Sequence, residues 1–275
     1  MTKPQISVVM GVYNPKSKEE MLRAVESILN QTYTDFEFII CDDGSNAQTK
    51  QWLNEIAQLD SRIRVIHNQT NKGLAATLNL GIAEAKGDYI ARQDVDDYSD
   101  STRFEKQMSF LCKHPEYCFV GSNVYYFSDE GVWGEFRYPE YPENKDFMWL
   151  SPFSHGSLIY RKEVLVKNKL YRVARETLRC EDYDLFMRIY QNGDKGANLQ
   201  EKLYYYCEDE NTIKRRKFTD RLIEVKIRAR YFGELGLYPK GIIYLIKPVI
   251  VGLIPVKILN RVKDLYYKRN YRNRK

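Results

Sequence analysis

The sequence predicts an α/β fold in which a sheet of largely parallel strands is flanked by helices and followed by a helical, basic C-terminal segment. Short β-branched apolar runs alternate with amphipathic stretches about every 15 residues through the first hundred positions, which is the pattern of βαβ units. Acidic residues gather where two of those runs stop. Charge is also unevenly divided: residues 213–275 hold 18 Lys/Arg and 4 Asp/Glu, whereas residues 1–212 carry a net charge of −8. Such asymmetry marks a main domain with an appended surface-binding segment. The expected division is therefore 1–212 for the main domain, with halves at 1–100 and 101–212, and 213–275 for the extension.

ISVVMGV at 6–12 is a buried strand, bounded by Gly11 and by Asn14-Pro15. Residues 19–30 place Met21, Leu22, Val25, Ile28 and Leu29 on one helical face. A second strand is expected at 36–45, a helix at 48–59, a third strand at 63–66, a small-residue-rich helix at 71–85 and a fourth strand at 88–92. After a helix at 103–113 the pattern changes. Residues 118–127 and 132–137 read as antiparallel strands, 157–160 and 198–207 as further strands, and 182–190 as a helix. The first half has the pattern of a nucleotide-binding sheet; the second is where another substrate would be accommodated.

Composition closes several alternatives. Five scattered cysteines without a C-x-x-C pair suit a reducing compartment and disfavour a structural zinc site. The N-terminus lacks the apolar core of a signal peptide, so a cytoplasmic protein is expected. Neither G-x-x-x-x-G-K-[ST] nor G-x-G-x-x-G is present, which disfavours P-loop kinases and typical dinucleotide enzymes.

The tail has two features. IIYLIKPVIVGLIPV at 242–256 is apolar but interrupted by Lys247, Pro248 and Pro255, short of the roughly 20 apolar residues of a comfortable span. Beyond it, Ile258, Val262 and Leu265 recur at helical spacing beside Lys257, Arg261 and Lys263. An apolar wedge with basic residues and Tyr266-Tyr267 suits an anionic membrane surface, so residues 242–275 are expected to hold the protein peripherally at the inner face of the cell membrane. The plainer alternative is a helical pair packed on the main domain. No helix-turn-helix, RRM or zinc pattern supports nucleic acid as the partner.

The acidic clusters are Asp42-Asp43 and Asp94, Asp96 and Asp97. In open parallel sheets ligands bind beyond the carboxyl ends of the strands, and clustered carboxylates repel unless a cation or donors compensate. A helix cap accounts for a lone Asp but poorly for three acids in four residues. With no His adjacent in the chain and a lone Cys41 before the first pair, the cation expected is Mg²⁺ or Mn²⁺, which completes its shell with water and substrate phosphates. A nucleotide diphosphate meets that demand.

SVVMGVYN, ESILNQTYTDFEFIICDDGS, NKGLAATLNLGIAEAKGDYIARQDVDD, SHGSLIYRKEVL and EDYDLFMRI, in that order, resemble the family-2 glycosyltransferases, over roughly residues 4–210. The likeness is strongest to bacterial enzymes of capsular and other surface polysaccharides. It implies the GT-A fold, a Rossmann-like nucleotide-binding mixed sheet with flanking helices. It implies that Val12 and Tyr13 border base and ribose, that Asp43 accepts from a uracil ring with Asp42 beside it, and that Asp94 touches ribose or sugar. It further implies that Asp96 binds the metal on the diphosphate and that Asp182 is the general base of an inverting transfer. His155 matches a recurrent histidine of the acceptor half and could be a core residue, a metal ligand or an acceptor contact. Lys72, before a helix start, could reach a phosphate or be merely solvated. Arg92 and Gln93 stand where apolar residues are more usual, and YSDST replaces the frequent proline after D-x-D-D.

An inverting displacement at an anomeric carbon needs a base for the acceptor hydroxyl and a Lewis acid for the leaving diphosphate; one carboxylate and one divalent ion meet that need. The expected function is transfer from a nucleotide-sugar, UDP-linked, to a glycan or lipid-linked saccharide. The competing readings are an inactive nucleotide-sugar-binding module and a nucleotidyltransferase, for which GVYNPKSKEE lacks the Gly-rich basic loop. Trp133, Trp149 and the tyrosines at 125–126 and 138–141 suit either aromatic core packing or a sugar-stacking platform.

Overall fold

A computed structural model describes residues 3–208, 217–259, 261, 262 and 265. Four strands, β1 (Ile6–Val12), β2 (Phe36–Asp42), β3 (Ile63–His67) and β4 (Tyr89–Asp94), pair in parallel in the order β3-β2-β1-β4. Helices α1 (Lys18–Leu29), α2 (Ala47–Ile56) and α3 (Leu74–Glu84) connect them. Ser17 and Asn46 cap the first two helices by accepting the Glu20 and Thr49 amides. The sheet continues through β8 (Ile159–Arg161), β6 (Phe119–Ser128) and β9 (Gly196–Cys207) to the short β5 (Tyr98–Ser99), and β7 (Gly131–Phe136) hangs on β6. Here β8 is antiparallel to both β4 and β6, β9 is parallel to β6, and β6–β7 is the expected antiparallel pair.

Both faces of the sheet are covered. One core joins α1 and α2 to α4 (Arg103–Lys113) through Met21, Val25, Ile28, Leu53, Phe104 and Leu111. The opposite core joins α3 to α5 (Lys162–Lys167) and α6 (Glu181–Gln191) through Leu78, Ile82, Leu165, Phe186 and Ile189. Burial on both faces explains why the first strands read as continuous apolar runs rather than alternating ones. Each fully buried aliphatic side chain contributes about 1.5–3 kcal/mol.

Several boundaries differ from the periodicity, and three of them lie near the acidic clusters or His155. The second strand stops at Asp42 because Asp42 and Asp43 turn their carboxylates onto following backbone and side chains. The helix expected from residue 71 begins at Leu74, since the amides of Lys72 and Gly73 bind Asp43. The strand expected at 157 starts at Ile159, after a 3₁₀ turn over His155–Ser157.

The C-terminal part adds α7 (Phe218–Glu234) and α8 (Ile242–Leu253). Ile227, Tyr231, Phe232, Leu235 and Leu237 lie in the same core as α6. Tyr231 donates to the buried Asp184 at 2.9 Å. The helical-pair alternative thus describes 218–245, while α8 also turns Ile243, Ile246, Ile250 and Leu253 outward, all more than half exposed. Among the described residues no helix is long and apolar enough to cross a membrane. Tyr266 and Tyr267 lie outside the described residues.

Candidate active site

The ends of β1, β2 and β4 meet at one edge of the sheet, with Val12 opposite Asp42 and Gly11 opposite Asp94 in register. Asp42 is fully buried; its Oδ1 accepts the Ser45 amide at 2.9 Å and its Oδ2 meets His67 Nδ1 at 2.9 Å. Burial pushes that carboxyl up, but the hydrogen bonds from His67 and Ser45 outweigh it and leave the group below the usual carboxylate range. His67 therefore partners this acid. Asp43 Oδ1 accepts from Lys72 N at 2.8 Å and Asn68 Nδ2 at 3.1 Å, and Oδ2 accepts from Gly73 N at 2.9 Å. It organises the entry to α3, and Gly44 at φ +72° makes the turn possible: a Cβ there would sit 2.6 Å from the Thr70 carbonyl carbon. Val12 is buried and its carbonyl accepts the Asp43 amide, while Tyr13 and Lys72 are exposed beside it. Val12, Tyr13, Asp42, Asp43 and Lys72 thus lie together beyond the carboxyl ends of β1 and β2, and none of them lines the cavity lined by Asp94 and Asp96.

The D-x-D segment closes β4. Asp94 is half-buried and paired to the fully buried Arg92 at 2.5 Å. Asp97 is buried; Oδ1 accepts the Cys207 amide at 2.7 Å, and Oδ2 has no hydrogen-bond partner among the described residues. Burial, then the charges of Asp96 and Asp94, push its carboxyl well up. Asp94 and Asp96, beside the orphaned buried oxygen of Asp97, are donors of the kind a hard divalent cation takes. Among the described residues no three His, Cys, Asp or Glu side chains form a complete protein metal site. Mg²⁺ and Mn²⁺ are commonly held by one or two carboxylates and completed by substrate phosphate, so the donor set fits them.

Asp94 and Asp96 line a cavity of about 510 Å³ together with His155, Arg179, Glu181 and Asp182. Asp182 stands in the first turn of α6 and is half-buried. Its acidic neighbours have different surroundings. Glu181 lines the cavity, with its carboxyl raised chiefly by burial. Asp184 is fully buried against Arg188 at 2.8 Å, Arg172 at 3.6 Å and Tyr231, a structural role. His155 Nε2 lies 2.7 Å from the Tyr171 hydroxyl and 3.4 Å from Arg92 Nε. Burial, then Arg92, pulls its imidazole down to about 4. Tyr126, Phe136, Tyr138 and Tyr206 also line the cavity, and Tyr126 stacks on Trp133 at 5.4 Å. Aromatic packing and a cavity wall are here the same cluster. Trp149 and Tyr141 instead lie exposed.

Sequence reasoning missed the C-terminal contribution: Glu224 and Arg228 of α7 line the same cavity. Arg228 is buried and donates to the Met148 and Trp149 carbonyls. Lys247 of α8 donates to the Trp149 carbonyl and lies 4.0 Å from the centre of its ring. Burial, then Arg228, lowers the Lys247 ammonium to about 8. Raising the pH through 8 is expected to discharge it and change Trp149 emission with a midpoint near 8. A K247M variant should lack that transition. The same sigmoid in K247M would show that another group is responsible.

A mixed sheet with acidic residues at the carboxyl ends of its parallel strands, beside a cavity lined by acids, is the arrangement of a GT-A glycosyltransferase. The chain belongs to glycosyl transferase family 2, whose model matches residues 7–168. It is 40% identical over 273 residues to the Bacillus subtilis (strain 168) protein named glycosyltransferase EpsE, covering 99% of this chain and 96% of that one. It is 31% identical over 215 residues to the Escherichia coli UDP-Glc:alpha-D-GlcNAc-diphosphoundecaprenol beta-1,3-glucosyltransferase WfaP, covering 78% and 82%. Among solved structures, S. aureus TarS 1–349 in complex with UDP-GlcNAc superposes with a TM-score of 0.65 at 21% identity, over 82% of this chain and 66% of that one. The mannosyltransferase PcManGT of Pyrobaculum calidifontis, in complex with GDP-Man and Mn²⁺, gives 0.64 at 16% identity over 99% and 83%. At these identities the structures speak for the fold.

Proposed function

We propose that this protein is an inverting glycosyltransferase of surface-polysaccharide synthesis. It moves a sugar from a nucleotide-sugar, UDP-linked, to a glycan or lipid-linked saccharide. The observation that supports the reading is one cavity lined by Asp94, Asp96 and Asp182 together. Asp43, Val12, Tyr13 and Lys72 receive the nucleotide, with Asp42 behind them, and Asp94 meets ribose or sugar. Asp96 would hold Mg²⁺ or Mn²⁺, with Asp97 beside it; a bound ion supplies charge neutralisation of the diphosphate. Asp182 takes the proton of the acceptor hydroxyl as that oxygen attacks. His155 fits a neutral donor better than a metal ligand, because an Nε2 that accepts from Arg92 leaves the ring proton on Nδ1. The name of WfaP, with a UDP-sugar donor and a lipid-diphosphate acceptor, supports both substrate classes.

Residues 242–275 would rest on an anionic membrane surface at the inner face of the cell membrane. Eight exposed large apolar residues between Ile242 and Leu265, within a segment so rich in Lys and Arg, support this. The test of the whole reading is nucleotide release from UDP-, dTDP- and GDP-sugars, with Mn²⁺ or EDTA, with and without vesicles containing phosphatidylglycerol. Metal-dependent release from one donor is expected, and silence with all donors despite normal UDP binding would favour the inactive module. Ile243, Ile246 and Ile250 replaced together by Glu should abolish flotation with those vesicles; unchanged flotation would remove the membrane assignment.

A further inference from the structure

Arg92 is the largest charged side chain in the centre of the sheet, and the transfer chemistry above does not use it. It lies on β4, opposite Val9 of β1, and is fully buried. Taking a guanidinium out of water costs several kcal/mol unless its N–H groups find partners. They do so in a directed way. Nη1 donates to the carbonyls of Val9 at 2.7 Å and Gln93 at 3.2 Å, Nη2 donates to Asp94 Oδ1 at 2.5 Å, and Nε donates to His155 Nε2 at 3.4 Å. One planar group therefore touches the D-x-D carboxylate and the histidine of the acceptor half.

A second buried guanidinium braces the first. Arg103, also fully buried, donates to the carbonyls of Arg92 and Gly156, both at 3.0 Å. The turn carrying His155 is pressed onto the D-x-D segment. A Cβ on Gly156 would fall 2.8 Å from Asp94 Oδ2 and 2.1 Å from the Tyr204 hydroxyl, which accepts the Asp94 amide. Asp94 and His155 come from chain segments some sixty residues apart, and the Arg92 fork is the side chain that hydrogen-bonds to both.

We infer that Arg92 is a positioning residue for transfer: its fork fixes the Asp94 carboxylate and the His155 imidazole in one geometry, so that the donor and acceptor walls of the cavity stay in register. Lysine keeps the charge but cannot form the fork. A neutral apolar residue would fill the space and leave Asp94 without its counter-charge. Misplacement of a group near the reacting atoms by about an ångström can cost 10²-fold in rate.

The inference rests on the transferase reading, so wild-type nucleotide release with the donor panel is measured first. R92K is then compared with D94N and the double variant in the full chain, by thermal midpoint, UDP affinity with Mn²⁺ by calorimetry, and nucleotide release. R92K is expected to keep the wild-type circular dichroism spectrum, to weaken UDP binding about five- to tenfold, and to lose about ten- to a hundredfold in kcat. The double variant should be no worse than D94N alone, because Arg92 acts through Asp94. A purely structural arginine would instead lower the thermal midpoint and leave losses that multiply with D94N. Wild-type kcat and UDP affinity in R92K, or multiplying losses, would overturn the inference. If R92K does not fold, H155Q and D94N form the same cycle: coupled losses support a shared fork, and independent losses overturn it. If the wild type is silent with every donor, the transferase reading fails, and the UDP-affinity cycle still decides the role of Arg92.

Discussion

An Asp182→Asn variant is expected to lose 10²–10⁴-fold in transfer while binding UDP within about threefold of the wild type. The expectation follows from where the acid stands. It occupies the first turn of α6 and lines the cavity with Asp94 and Asp96, whereas Tyr13 and Asp43, proposed to receive the nucleotide, do not line it. Asparagine keeps the shape and removes the lone pair that would take the acceptor proton. Two neighbours serve as controls. Glu181→Gln touches the same cavity, so a loss there equal to that of D182N would move the base to Glu181. Asp184→Asn should instead cost stability, about 3–5 kcal/mol, since it strips a buried partner from Arg188 and Arg172. Nucleotide release, UDP calorimetry and thermal melts separate the three variants. Wild-type release in D182N would end the assignment.

The second large effect belongs to Asp96. Its replacement by Ala is expected to abolish the Mn²⁺-dependent increment in UDP affinity and to lower nucleotide release by at least about 10²-fold, because a Lewis acid on the leaving diphosphate is worth several kcal/mol. EDTA applied to the wild type should reproduce the variant, and adding EDTA to D96A should change nothing further. D96A that still binds UDP more tightly with Mn²⁺ would place the ion on other residues. Asp97→Asn is the informative companion. Burial and its acidic neighbours already favour the protonated form of Asp97, so the amide should be milder than D96A if its role is confined to the turn.

Much of this arrangement can be read from residue pattern. Strands buried on both faces must be continuously apolar, so β1, β2 and β4 stand out, and helices such as α1 carry their buried face at helical spacing. The acidic clusters are visible because nothing in an ordinary core tolerates them. What stays hidden is polar and long-range. Arg92 is a departure from an apolar pattern, and no local signal says that its partners are Val9 and His155. Asp43 resembles a ligand residue, yet its carboxylate also binds three donors that build the α3 entry. The basic charge of residues 213–275 draws attention to the surface, whereas Ile227, Tyr231 and Phe232 at helical spacing place α7 in the core.

The placement of Glu224 and Arg228 in the cavity wall bears on how such enzymes are handled and recombined. Trimming the C-terminus at residue 212 would discard part of the cavity wall along with the segment proposed to rest on the membrane. A shortened form meant to remain competent has to retain the chain through Leu237, whose side chain still lies in the core. By the same reasoning, a chimera that exchanges tails between two relatives exchanges part of the cavity wall, and on the proposed reading part of acceptor recognition, with them. Anchor and acceptor preference would then be inherited as a single cassette.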